Sequence, residues 1–147
     1  MGDRRFLVPF LAAIASSTVA WSSEAEAAGC ATQISAYRRA HGLSAVRADG
    51  ALDALARRQA EAMANVEKVN HTVGGDFRVR VARVHPRLAA ENVAAGVLTC
   101  TEAIREWDHS SGHRENLQMP GARRVGVAVV SKPSSPYRKF WAMIITD

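Results

Sequence analysis

The sequence predicts an α+β fold in which helices come first and an antiparallel sheet closes the chain. Apolar residues recur at helical spacing through residues 30–109, whereas two short apolar segments of strand character follow residue 123. Strands and helices do not alternate regularly, which argues against a parallel α/β sheet. With 147 residues, the chain is long enough for one domain with a core.

Residues 1–27 are predicted to be a signal peptide. Arg4 and Arg5 form a basic start, an apolar stretch follows, and Ala25-Glu26-Ala27 matches the small-residue cleavage pattern. Pro9 interrupts the apolar stretch, which is shorter than the roughly 20 residues needed to cross a bilayer. We therefore expect a mature domain of residues 28–147 with no transmembrane anchor after processing, located in the periplasm or cell envelope or secreted.

The chain contains two cysteines, Cys30 and Cys100. Both belong to the predicted exported part, where an oxidising compartment favours a disulfide between them. The alternative is lipidation of Cys30, because Ala27-Ala28-Gly29-Cys30 loosely resembles a lipobox. Against it, Ala stands three residues before the cysteine where a lipobox has Leu, and the polar segment 22–24 separates the apolar stretch from it.

Two helices are predicted in the first half of the chain. The first covers residues 31–41, and Gly42 suits the left-handed position just past a helix end. Asp49 is a good N-cap for the second helix, which is expected to fade near residues 69–71, before the loop of Gly74 and Gly75. The inward face of this second helix is predicted to consist of Leu52, Leu55, Ala56, Ala60 and Met63.

The second half predicts one more clear helix and a hairpin. Residues 76–84 are compatible with a short helix or irregular structure ended by Pro86. Thr99 is expected to cap a helix from residue 100 to about 109, and Ser111-Gly112 to stop it. Residues 124–130 and 140–145 are apolar on both alternating faces, as in strands covered by helices on both sides, and a turn-rich link joins them.

The formal net charge is +5. The densest group of positive residues comprises Arg78, Arg80, Arg83 and Arg87. No run of five like charges is present, and no recognised nucleic-acid-binding motif accompanies the charge. We therefore expect a solvated, arginine-rich surface and no nucleic-acid partner.

The most specific motifs are Ala-Glu-Asn-Val-Ala-Ala-Gly at residues 90–96 and Trp-Asp-His-Ser-Ser-Gly-His-Arg-Glu-Asn-Leu at residues 107–117. In this order they resemble the signatures of the CAP superfamily, the cysteine-rich secretory, antigen 5 and pathogenesis-related proteins with an SCP domain. Residues 90–96, Ala-Glu-Asn-Val-Ala-Ala-Gly, are similar to the family's Gly-Glu-Asn-Ile-Ala-Ala-Gly. Residues 107–117 are similar to the bacterial pattern Trp-x-x-Ser-x-Gly-His-Arg-x-Asn-Ile. The opening helices with His71 and the strands after residue 123 also resemble the family, so the chain is identified as a member of its bacterial branch.

The resemblance implies a three-layer α-β-α sandwich, with a small and mainly antiparallel sheet between helices. It also implies a cleft that holds two histidines and two acidic residues. His71, Glu91 and His113 match three of these positions, while Ser110 occupies the fourth in place of an acidic residue. Members of the bacterial branch commonly lack that acidic residue too. The residues expected to line the cleft are His71, Glu91, Ser110, His113, Arg114 and Asn116.

The histidines and Glu91 have two interpretations, one chemical and one structural. His71 and His113 could occupy two positions of a zinc site, and Glu91 could be a third ligand, an orienting residue or a general base for a bound water. The alternative interpretation is structural, because buried polar groups must find hydrogen-bond partners in any case. The two histidines would then simply bind Glu91 and hold loops against the sheet.

The function that the resemblance implies is a ligand-binding or interaction module outside the cytoplasm, with a lipid or another cell-envelope component as its ligand. The alternative is a metal-assisted hydrolase in which His71 and His113 hold zinc and Glu91 is the general base. A third interpretation is a structural envelope protein without a site. The missing acidic residue at Ser110, together with the lack of a dedicated nucleophile, favours the binding module.

Overall fold

The computed structural model describes residues 18–147. The predicted signal peptide therefore lies largely outside the described residues. Within the described part of the chain, no helix is long and apolar enough to cross a membrane. The elements, in order, are α1 (Thr18–Ala40), β1 (Arg47–Ala48), α2 (Gly50–Val66), α3 (Phe77–Val81) with a 3₁₀ turn (Ala82–Val84), β2 (Ala89–Ala95), α4 (Cys100–His109), α5 (Ser111–Leu117), β3 (Arg124–Lys132) and β4 (Arg138–Thr146).

The four strands form one sheet in the order β1-β3-β4-β2. β4 pairs antiparallel with both β3 and β2, so the predicted hairpin is confirmed. The short β1 pairs parallel with β3, and the sheet is therefore mixed. Helices cover both faces, which confirms an α+β sandwich with a mainly antiparallel sheet.

The alternating side chains of the central strands enter two separate apolar clusters. Val127 and Trp141 pack on the face covered by α1 and α4. Ala128 and Phe140 pack on the opposite face, against α2. This two-sided burial is what apolar residues on both faces of a strand predict.

Both predicted N-caps are confirmed. The Asp49 carboxylate accepts hydrogen bonds from the backbone N–H groups of residues 51 and 52, at 3.0 and 3.2 Å. Thr99 and Glu102 form a reciprocal capping box at the start of α4. A disulfide joins Cys30 on α1 to Cys100 on α4, as predicted. Because the sulfur of Cys30 is used in this bond, it offers no thiol for a lipid.

Three predicted details differ from the structure. The first helix begins at Thr18 rather than at residue 31, because the Ala- and Glu-rich segment 24–28 is a strong helix former and extends it. The expected end of α4 at His109 is confirmed, but Ser111 and Gly112 do not interrupt the helical conformation for long. The chain turns at an extended Ser110, and α5 begins at Ser111. The strands β1 and β2 were not predicted, because short segments without clear alternation carry little periodicity.

One close approach fixes how α2 lies across the sheet. A β-carbon built at Gly126 on β3 would stand 2.2 Å from the carbonyl carbon of Leu52. Only glycine lets the helix and strand backbones approach this closely. The carboxylate of Asp53 accepts a hydrogen bond from the N–H of Val127 at 2.9 Å, which occupies the strand edge where β1 has ended.

Candidate functional site

Glu91 lies near the centre of β2, paired in register with Ile144 of β4. Its side chain is only 2% exposed, so the carboxylate is removed from water. His71, in the loop between α2 and α3, places Nδ1 3.0 Å from Oε1 of this carboxylate. The side chain of His71 is 48% exposed. The geometry is thus a surface imidazole oriented by a buried acid.

Arg80 on α3 is the second partner of Glu91. Nη2 lies 2.8 Å from Oε2 of Glu91, without the alignment of a hydrogen bond, so the attraction is mainly that of two charges. Nη2 also donates to the carbonyl of His71 at 3.2 Å, and Nε donates to the carbonyl of Gly75 at 3.1 Å. Arg80 therefore holds both the carboxylate and the loop that carries His71.

This arrangement corrects one prediction. The arginine-rich segment was expected to be solvated, but Arg80 is buried and 9% exposed. The short helix α3 turns this residue inward, because Asp76 caps the helix by accepting from the N–H of Val79 at 3.0 Å. Gly75, with φ +95°, provides the backbone turn just before it.

His113 on α5 completes the group. Its ring centre lies 6.2 Å from that of His71, with 47° between the ring planes. Burial, followed by the nearby charge of His71, lowers the pKa of His113. His113 therefore favours the neutral imidazole at pH 7, the form that accepts a hydrogen bond or binds a metal.

Two asparagines fix α5 to the sheet. Asn92 is fully buried, and its side-chain amide donates to the carbonyl of His113 at 2.9 Å. Asn116 donates to Oδ1 of Asn92 at 2.9 Å and to the carbonyl of Glu91 at 3.3 Å. These bonds hold the backbone of His113 beside the strand that carries Glu91.

The structure places Ser110 and Arg114 apart from this network. Ser110 is the extended residue between α4 and α5. Arg114 donates to the carbonyl of Asp108 at 2.9 Å and lies close enough to Tyr37 to act on its phenol. In the described part of the chain, no side-chain hydrogen bond or ion pair joins either residue to His71, Glu91 or His113.

Arg114 belongs to a second polar cluster, formed by Tyr37, Asp108 and Gln118. The hydroxyl of Tyr37 donates to Asp108 and accepts from the amide of Gln118, which links α1 to α4 and to the end of α5. Burial and then the bond to Asp108 raise the pKa of Tyr37, although Gln118 and Arg114 act in the opposite direction. The cluster joins helices on one face of the sheet.

Zinc was a prediction from residue chemistry. Among residues 18–147, no group of three or more His, Cys, Asp or Glu side chains is arranged to hold a metal ion. Glu91 is engaged by Arg80 and by Nδ1 of His71, so it is an orienting residue in this arrangement. The residues present fit an ion held by two imidazoles at most, with water or a ligand supplying the other positions.

A sequence comparison identifies the family of this chain. A family model described as CAP, the cysteine-rich secretory protein family, matches residues 31–145. The chain belongs to the CAP family. The match begins just after Cys30 and ends within β4, so it covers the sandwich except for the first part of α1 and the last residue of β4.

Known CAP proteins resemble this chain to different extents. An uncharacterised protein, YkwD of Bacillus subtilis, is 30% identical over an alignment of 103 residues that covers 67% of this chain and 40% of the relative. The chain thus spans about two fifths of that relative's length.

Two solved structures share the CAP fold. An extracellular protein containing an SCP domain from Bacillus anthracis has a TM-score of 0.73 at 23% identity, over 84% of this chain and 41% of its own. An outer surface protein from Borrelia burgdorferi has a TM-score of 0.69 at 17% identity, over 80% of this chain and 88% of its own. At such identities the likeness shows the fold alone.

Two residues of this CAP site were missed by sequence reasoning. Arg80 belongs to a segment whose other arginines are exposed, so its burial was not predicted. A signal was present, because residues two apart on a helix, such as Arg78 and Arg80, point to different sides. Asn92 directly follows Glu91, so its side chain faces away from that of Glu91 on the strand and towards α5.

Proposed function

We propose that this CAP domain is a secreted ligand-binding module whose ligand is held by the paired imidazoles of His71 and His113. Secretion is supported by the disulfide, which needs an oxidising compartment, and by the descriptions of two relatives as extracellular and outer surface proteins. The ligand class is a lipid or another cell-envelope component, which an exported protein meets.

One observation supports the proposal above the others. A buried carboxylate, 2% exposed, orients an imidazole that is 48% exposed, and Arg80 fixes both. An ion pair built only to hold loops would not require its histidine to reach solvent. The rigid support beneath an exposed ring is typical of a binding site whose geometry is set before the ligand arrives.

The contacts of Glu91 favour orientation over catalysis. A general base must lie within hydrogen-bond reach of the proton that it removes. Both oxygens of Glu91 instead face His71 and Arg80. A hydrolase would therefore need a base other than Glu91, and no observation favours that function over binding.

Zinc is a suitable probe of the paired imidazoles, because neutral histidines bind it through one ring nitrogen each. Calorimetric titration of the purified protein should detect zinc binding that is lost in His71→Ala and in His113→Ala. Glu91→Gln should weaken binding by roughly 10- to 100-fold, the usual cost of losing the partner that orients a histidine ligand.

The matched control is His109→Ala. His109 is exposed at the end of α4, and its Nδ1 is hydrogen-bonded to the carbonyl of Arg105. This variant should bind zinc like the parent. Zinc binding that survives in His71→Ala or in His113→Ala would contradict the paired-imidazole site.

A further inference from the structure

A small cavity of about 150 Å³ lies between α2, the loop at residue 74 and α3. Three of its lining residues are arginines, and they come from α2, α3 and the 3₁₀ turn that follows α3. It is separate from the exposed ring of His71, which does not line it. The lining residues are Leu55, Arg58, Gly74, Val79, Arg80 and Arg83.

The cavity carries an excess of positive charge. Arg80 is paired with Glu91. Within residues 18–147, neither Arg58 nor Arg83 forms an ion pair with a carboxylate. Two guanidinium groups at one small cavity thus lack a compensating anion, and such a constellation attracts one.

Arg80 adds a second, independent observation. Its side chain is nine-tenths buried, with 10% exposed, and Nη1 is fully buried. This nitrogen has no hydrogen-bond partner among the described residues. A buried donor without a partner is unfavourable by itself, so Arg80 would gain from an acceptor that a small movement of its guanidinium brings within reach.

The volume of the cavity and the geometry of its donors define the class of ligand. A volume of about 150 Å³ is below the roughly 300–1,000 Å³ of pockets for drug-sized ligands, so only a small group can enter. Guanidinium forks match the oxygen geometry of phosphate. We propose that Arg58, Arg80 and Arg83 form a binding site for a phosphate-type oxyanion.

Two sources supply this group. One is free phosphate, and the other is the headgroup of an anionic phospholipid. Val79 is 69% exposed although apolar, and it lies at the same cavity. An apolar side chain beside the arginines could contact the acyl region when a headgroup enters the site.

The test is a titration of the purified protein with inorganic phosphate, followed by amide NMR signals near Gly74. The parent should show saturable shifts that are confined to the cavity. Arg83→Ala and Arg58→Ala should each weaken binding by about 10-fold, because each removes charge-assisted hydrogen bonds to the ligand. Both side chains are exposed, so the fold should persist in these variants.

Arg78→Ala is the matched control. Arg78 is an exposed residue of α3, close in sequence to Arg83, and its replacement removes the same charge, but Arg78 does not line the cavity. It should bind phosphate within about 2-fold of the parent. His113→Ala should also bind normally, which separates this site from the histidine pair. Equal weakening in Arg78→Ala and Arg83→Ala, or no saturable shifts in the parent, would overturn the proposal.

Vesicles distinguish the two sources. If phosphatidylglycerol vesicles bind the parent but not Arg83→Ala, and free phosphate competes, the headgroup is the ligand. If only free phosphate binds, the soluble anion is the ligand. Either result supports the site. Vesicle binding that is equal in the parent and in Arg83→Ala, and that free phosphate does not reduce, would contradict it.

Discussion

The pair of Arg80 and Glu91 yields the sharpest stability prediction. Both side chains are nine-tenths or more buried, and Nη2 of Arg80 lies 2.8 Å from Oε2 of Glu91. Each residue therefore neutralises the charge of the other where little water is present to do so. Removing one partner of a buried pair costs about 3–5 kcal/mol, because the other charge is left uncompensated. Nδ1 of His71, 3.0 Å from Oε1 of Glu91, remains as a hydrogen-bond partner of the carboxylate and relieves part of this cost. We therefore expect a cost of about 3 kcal/mol for Arg80→Met, at the lower end of that range.

The double variant separates burial of charge from loss of packing. Glu91→Leu leaves Arg80 buried without its acid, so it should also destabilise the protein by about 3 kcal/mol. Arg80→Met with Glu91→Leu removes both charges and retains apolar volume, and it should cost far less than the sum of the single changes. Arg78→Ala, an exposed change on the same helix, should stay within about 0.5 kcal/mol of the parent.

Urea unfolding measures these differences through the midpoint, provided that the slope against urea concentration is unchanged. A coupling free energy of several kcal/mol between the two positions is expected. Single costs that simply add, to within about 0.5 kcal/mol, would refute the reasoning. In that case the two charges would not depend on one another, and Arg80 could not be what holds the carboxylate.

Three further outcomes are expected. Replacing Cys30 and Cys100 by Ser should cost about 4 kcal/mol in urea unfolding, since their bond closes a loop of 70 residues. Gly126→Ala should destabilise by about 1–3 kcal/mol or more, because its new methyl group would meet the backbone of α2, whereas Gly112→Ala, with open space around it, should not. The pKa of Asp147 is lowered to about 2, mainly by the bond from the N–H of residue 88, so its contribution to stability is complete above the usual carboxyl pKa and lost as the pH falls towards 2. The difference in unfolding midpoint between the parent and Asp147→Asn should shrink over that pH interval.

The sequence predicted the parts of the fold that have strong local signals. The helix α4 was expected within its observed bounds, because Thr99 is a cap and Trp107 repeats at helical spacing with other apolar residues. The hairpin of β3 and β4 was expected because both strands are apolar on both faces. β1 has two residues, and its strand conformation depends on its pairing with the distant β3, so no local pattern could reveal it.

The site was predictable only in part, for a related reason. His71 and Glu91 are 20 residues apart in sequence, and their contact exists because the loop after α2 folds over β2. A family pattern can name such residues without showing what supports them. Arg80 was the missing support, because burial of a charged side chain depends on a distant partner that composition does not reveal.

A few buried polar atoms of this molecule lack hydrogen-bond partners, which is unfavourable for folding. In the described part of the chain these side-chain atoms belong to Gln59, Arg80 and Glu91. All three residues contact the same loop: Gln59 donates to the carbonyl of residue 70, Arg80 to that of residue 75, and Glu91 accepts from the ring of His71. A buried atom of this kind needs a partner other than the protein, such as a water molecule, an ion or a ligand, and departures from favourable local structure occur mainly at functional sites. Their concentration around one loop, between the histidine pair and the arginine cavity, therefore supports a functional role for this end of the sandwich over a purely structural one.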